Sequence, residues 1–78
     1  MANALYNQVV GVVSPFIGEE KAKASIGRQL ERCQANPDNL TTNHIKEVMN
    51  FLIGATTLYL HPDKAKQQEL TAKLKSLA

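Results

Sequence analysis

Three side chains in this sequence are candidates for chemistry: Cys33, His44 and His61. Cys33 and His44 are the only residues that could pair as nucleophile and base, and a cysteine on an apolar helical stripe is usually a core residue. No set of cysteine and histidine stands at metal-ligand spacing, and no glycine-rich phosphate loop is present. We therefore expect no catalytic residues, no cofactor, no metal and no enzyme activity.

His61 stands before Pro62, where the pattern predicts the beginning of a helix. A helix N-terminus with Lys64 close by could bind an anion. Asp63 in the same turn would repel that anion. We expect a capping or solvent-exposed histidine at this position.

Size and charge bound the remaining functions. The chain has 78 residues, so we expect one domain over 1–78, with a core that buries only about 60% of the unfolded surface. Its N-terminus has no basic region typical of a signal peptide, and the thirteen uncharged residues of 48–60 are too few for a transmembrane helix, which needs about 20. With one cysteine, these features predict a cytoplasmic protein without membrane contact.

The first half, 4–35, has the pattern of two helices. Apolar rows at helical spacing predict a helix over 4–14, although its four valines would also suit a strand. Pro15 should end this helix near Val13, because the residue before a proline avoids the helical region. Gly18 should cap a second helix, whose apolar stripe is narrow: Ala22, Ile26, Leu30 and Cys33.

The second half, 41–77, follows a turn at 36–40. Thr41 or Thr42 should cap a third helix, which is so apolar that it must be covered on most sides. Pro62 should open the last helix, with Asp63 in its first turn. That helix has only a thin apolar stripe: Leu70, Leu74 and Leu77.

The two halves resemble each other at an offset of 43 residues. Gly11 then matches Gly54, and the Lys-Ala-Lys of 21–23 matches that of 64–66. This pattern predicts an all-α four-helix domain built from two helix–link–helix units, with an internal pseudo-twofold repeat. The first and third helices should form an apolar inner pair, and the second and fourth should cover them.

The inner helices have more apolar residues than such thin covers can bury. A surplus of this kind marks an oligomer or partner interface. The sequence therefore predicts a non-enzymatic protein-interaction or regulatory module that forms a homodimer or contacts another protein. The expected interface residues are Met49, Phe51 and Leu58.

Weak nucleic-acid binding is the alternative function. The net charge of +2 gives it little support, and Lys46 is the only basic residue along the third helix, whereas a recognition helix must present polar side chains to the bases. If nucleic acid is bound, the phosphate-facing set would lie on the last helix: Lys64, Lys66, Lys73 and Lys75.

Overall fold

The computed structural model describes residues 3–77; residues 1, 2 and 78 of the expected domain lie outside this range. Within it the chain forms helices and no strand, so the all-α four-helix prediction is confirmed. No helix among these residues is long and apolar enough to cross a membrane. The elements are α1 (Ala4–Ile17), α2 (Glu19–Arg32), α3 (Thr42–Thr57), a 3₁₀ turn (Leu58–Leu60) and α4 (Lys64–Lys75).

Helix α1 passes through Pro15 and ends at Ile17, so the predicted end near Val13 is wrong. Proline removes one helical hydrogen bond, the one that would reach the carbonyl of Gly11. Gly11 and Pro15 are both exposed, so this side of α1 faces solvent. The loss is therefore small, and the Gly18 amide closes the last turn by donating to the Ser14 carbonyl over 2.7 Å.

Gly18 joins α1 to α2 and is the N-cap of α2, as predicted. Its backbone φ of 92° and ψ of 152° lie in a region that is essentially restricted to glycine. Two acidic residues, Glu19 and Glu20, follow in the first turn and suit the positive end of the helix dipole. Glycine at this position lets two helices meet with no intervening loop.

The link between α2 and α3 is fixed by side-chain hydrogen bonds. The carbonyl oxygen of the Asn36 side chain accepts from the amides of Asp38 and Asn39, which closes the predicted turn. Asn3, the N-cap of α1, donates through its side-chain amide to the Leu40 carbonyl over 2.8 Å. The link is therefore hydrogen-bonded to the beginning of α1, which is distant from it in sequence.

Helix α3 begins as expected, with Thr41 as N-cap and His44 completing a capping box. The beginning of α4 differs from the prediction, because Asp63 is the N-cap and Pro62 precedes the helix. The Asp63 carboxylate accepts from the Lys66 amide over 3.1 Å and so fixes the start of the helix at Lys64.

The four helices pack as a ring in which α1 contacts α2 and α4, and α3 also contacts α2 and α4. Direct contact between α1 and α3 is limited, so the expected inner pair is wrong. Helix α2 also buries Ser25 and Gln29, so its buried face is wider than the apolar stripe that the sequence indicates. All four helices contribute fully buried side chains to one core: Val9, Val13, Ala22, Ile26, Ile45, Leu70 and Leu74.

The helix ends of the two halves coincide at the predicted offset. Helix α1 ends at Ile17 and the 3₁₀ turn at Leu60, while α2 ends at Arg32 and α4 at Lys75; each pair is 43 residues apart. The beginnings of α2 and α4 do not coincide. The internal repeat stays a prediction.

Candidate interaction surface

The two side chains that could pair in catalysis each have a partner within their own turn. The Cys33 thiol donates to the Leu30 carbonyl over 3.4 Å. The Nδ1 of His44 accepts from the Thr41 amide over 3.1 Å. Cys33 is the C-cap residue of α2, and His44 belongs to the capping box of α3. Across residues 3–77, no group of three or more His, Cys, Asp or Glu side chains could hold a metal ion.

His61 lies exposed between the 3₁₀ turn and α4. Its amide donates to the Leu58 carbonyl over 3.3 Å. The N-terminus of α4 is already occupied by the carboxylate of Asp63, which would compete with any external anion. His61 is therefore exposed, as the sequence predicted. It follows the 3₁₀ turn and precedes α4, whose N-cap is Asp63.

The large apolar residues that the core leaves uncovered lie in the C-terminal half of α3 and in the 3₁₀ turn that follows it. Phe51 is 54% exposed, Leu58 is 72% exposed and Tyr59 is 50% exposed. Phe51 and Leu58 are seven residues apart and so lie on the same side of the helix. Across residues 3–77, these are the only exposed large apolar side chains.

Basic side chains of α2 border this apolar patch. The Arg32 guanidinium lies 4.5 Å from the ring centre of Phe51, and the Lys21 ammonium lies 5.3 Å from that of Tyr59. Both geometries are cation–π contacts, and they place one side of α2 directly beside α3. Arg28 is exposed and stands seven residues after Lys21 and four before Arg32, so it belongs to the same row.

Among residues 3–77, no acidic side chain forms a salt bridge with this row of cations. The salt bridges among the described residues join Glu19 to Lys23 and Glu69 to Lys73, and neither includes a residue of the row. Unpaired cations beside exposed rings raise the positive potential over the patch. We call this surface the α2–α3 face and define it by six residues: Lys21, Arg28, Arg32, Phe51, Leu58 and Tyr59.

Comparison with known proteins adds no family to this description. No family model, no curated protein and no solved structure matches the chain. The α2–α3 face therefore has to be interpreted from its own chemistry.

Two of the three predicted interface residues belong to the α2–α3 face, and Met49 does not. Met49 is half-buried and packs against the core cluster. It stands two residues before Phe51, a rotation of about 200° that points it to the opposite side of α3. Tyr59 and the cations were missed from the sequence, although the spacing of Lys21, Arg28 and Arg32 already indicates one row along α2.

The four lysines named for phosphate contact divide between two sides of α4. Lys64 and Lys75 line an open groove of about 590 Å³, together with Thr57, Gln67, Gln68, Thr71 and Ala72. Lys73 lies instead over the ring of Phe16 on α1, with its ammonium 5.5 Å from the ring centre. Lys66 is exposed and stands seven residues before Lys73, on that second side. The structure therefore does not bring the set into a single row.

Proposed function

We propose that this chain is a small, non-enzymatic protein-interaction module and that the α2–α3 face is its contact surface. The observation behind this proposal is the concentration of every large exposed apolar side chain among the described residues on that one face. Apolar surface flanked by charges and aromatic rings is typical of protein interfaces.

The face is well suited to provide binding energy. Aromatic residues and arginine dominate the residues whose truncation weakens protein complexes most. Phe51, Tyr59 and Arg32 are of these types, and the cation–π contacts already restrain the two rings in the free protein. A restrained side chain loses less entropy when a partner covers it.

The test is quantitative co-purification from the source cells with three tagged proteins: the wild type, Leu58→Ser and Gln8→Ser. Gln8 is exposed on α1, so its replacement is a control on a helix that does not form the face. We expect the wild type and the control to retain the same protein or a second, untagged copy of this chain, and Leu58→Ser to lose it. Equal retention by all three would contradict the proposal.

Homodimer formation, which the sequence predicts, is one way to cover the face. Light scattering over a concentration series, run on the wild type and on Leu58→Ser, tests it directly. A dimer that forms only in the wild type would support self-association through this surface. A monomer at every concentration would exclude self-association through this surface. The expectation of a cytoplasmic protein rests on the sequence alone, since one cysteine forms no internal disulfide in any compartment.

Nucleic-acid binding through α4 is the weaker proposal. Its support is that Lys64 and Lys75 border the same open groove. A salt titration of binding to duplex DNA tests it, because phosphate contacts require affinity to fall as salt rises. Affinity that does not change with salt would exclude this function.

A further inference from the structure

The apolar residues of the α2–α3 face have the spacing of a helix-docking surface. Phe51 and Leu58 are separated by two helical turns, roughly 10 Å at 1.5 Å per residue. Gly54 lies between them on the same side, and a Cβ there would meet nothing within 4 Å apart from the adjacent residues and backbone of its own helix. The backbone of α3 is therefore open between two large side chains. Such a notch accepts one side chain of a helix laid along α3, as knobs enter holes in helical packing.

The charges of the face determine what flanks that helix. Lys21, Arg28 and Arg32 form a row along one edge of the notch, and no described acidic residue forms a salt bridge with them. Glu47, four residues before Phe51, is the acidic side chain at that end of the surface. A partner that covers the face must bring carboxylates opposite three cations, because burying them unpaired would be costly.

A second copy of this chain fits these requirements poorly. Its large exposed apolar residues, among those the structure describes, all lie beside the same basic row. Two copies that meet through this face would bring two basic rows to one interface, with little acidic surface to neutralise them.

Single-stranded nucleic acid is also a poor fit, although it too is anionic. Its bases stack on open aromatic rings, but Arg32 and Lys21 already cover one side of Phe51 and of Tyr59. Leu58, the most exposed of the three apolar residues at 72%, offers no stacking surface.

We propose that the α2–α3 face binds an acidic amphipathic helix of a partner protein, an inference that rests on the proposed function. The apolar side of that helix covers Phe51, Leu58 and Tyr59 and places one side chain over Gly54. Glutamate or aspartate residues along one flank pair with Lys21, Arg28 and Arg32.

A display library of amphipathic helical peptides tests this inference. The peptides have leucines at heptad spacing, and their flanking positions are drawn from glutamate, glutamine and lysine. The wild-type protein should select glutamate over lysine on one flank. Arg28→Glu should weaken binding of a selected acidic peptide by about tenfold or more, which is about 1.4 kcal/mol. Lys66→Glu, the same charge change on the far side of α4, should leave that binding unchanged.

Each other outcome decides against the inference. Equal selection of glutamate and lysine would contradict an acidic flank on the partner helix. Equal losses of peptide affinity in Arg28→Glu and Lys66→Glu would contradict it as well. Tighter binding of a labelled oligothymidine than of any selected peptide would assign the face to nucleic acid. Failure to select any peptide, while co-purification still depends on Leu58, would reject the acidic helix and leave the proposed function standing. Co-purification that ignores Leu58 would reject both.

Discussion

Helices α1 and α3 do the same work in the core but present different outer surfaces. Val9 on α1 and Leu52 on α3 are both almost fully buried. The exposed row on α1 is Gln8, Gly11 and Pro15. At the offset of 43 residues, the matching exposed row on α3 and its C-cap is Phe51, Gly54 and Leu58. The glycine is common to both rows, whereas the residues on either side of it differ in type.

The difference between the two outer rows shows which exposed side chains the fold does not require. Helix α1 completes its side of the bundle with Gln8 and Pro15 on its outer row, so large apolar side chains are not required there. Phe51 and Leu58 expose apolar surface that the core does not use. This exposed apolar surface supports the proposed contact with another molecule.

The largest expected effect contrasts the two sides of α3. Leu52→Ala should lower the free energy of unfolding by about 2–5 kcal/mol, because it leaves a cavity in the core. Leu58→Ala should change it by less than about 0.5 kcal/mol, since the side chain is mostly in water. Urea denaturation of the two variants measures both values. A comparable loss in Leu58→Ala would mean that the outer row of α3 supports the fold.

The two junctions between helices give the next effect. Gly18→Ala should lower the free energy of unfolding by about 1–3 kcal/mol, because the backbone there has a conformation that only glycine adopts readily. His61→Ala, at the matching position 43 residues later, should cost less than about 0.5 kcal/mol, since its φ of −59° suits any residue. Thermal unfolding compares them. Equal losses of unfolding free energy in the two variants would show that position 18 does not require glycine more than position 61 does.

A smaller effect is expected from the basic row. Arg32→Ala should lower the free energy of unfolding by about 0.5–1 kcal/mol, through loss of the cation–π contact with Phe51. A double-mutant cycle with Phe51→Ala isolates this contact from the other roles of the two side chains. A coupling energy of zero would mean that Arg32 does not restrain the ring.

The smallest effect concerns the other edge of α2. The Lys23 ammonium lies 2.9 Å from Glu19, and its hydrogen bond and charge lower the pKa of Glu19, while Glu19 raises the pKa of Lys23. The contribution of Glu19 to folding stability is present above its pKa in the unfolded chain, and it is lost as pH falls through its lower pKa in the folded protein. The contribution of Lys23 to folding stability is present below its pKa in the unfolded chain, and it is lost as pH rises through its higher pKa in the folded protein.

NMR titration of the Glu19 carboxyl checks this ion pair. The midpoint should rise in Lys23→Ala, and it should not move in Lys21→Ala, which belongs to the α2–α3 face. Because both partners of the pair are exposed, the unfolding free energy should hardly depend on it. An unchanged midpoint in Lys23→Ala would mean that the pair does not persist in solution.

Much of the fold could be predicted from spacing alone, and the failures have physical causes. Helical periodicity identified four helices, and both predicted N-caps follow from residue type. The Thr41 hydroxyl accepts from the His44 amide, whereas Gly18 has no side-chain cap and is suited by its backbone freedom. Pro15 was misjudged because a proline in the last helical turn removes one hydrogen bond, on a side of the helix that faces solvent. Asp63 was misplaced by two helical positions because its carboxylate caps the helix better than Pro62 begins it.

The site was predicted only in part. Phe51 and Leu58 could be chosen because they flank the apolar side of α3, but periodicity within one helix does not show which neighbour packs against it. The ring arrangement, which brings α2 beside α3, decides that Lys21 reaches Tyr59 and Arg32 reaches Phe51. The buried face of α2 includes Ser25 and Gln29, two polar residues that give no apolar signal in the sequence.

The most direct test of the central claim places a photo-crosslinking amino acid at matching positions of the two outer rows. One protein has it at Phe51 on α3, and the other has it at Gln8 on α1. Both are expressed in the source cells and irradiated. We predict a crosslinked complex with a second polypeptide from position 51 and none from position 8. Equal crosslinking from both positions, or none from position 51, would contradict the assignment of the α2–α3 face as the contact surface.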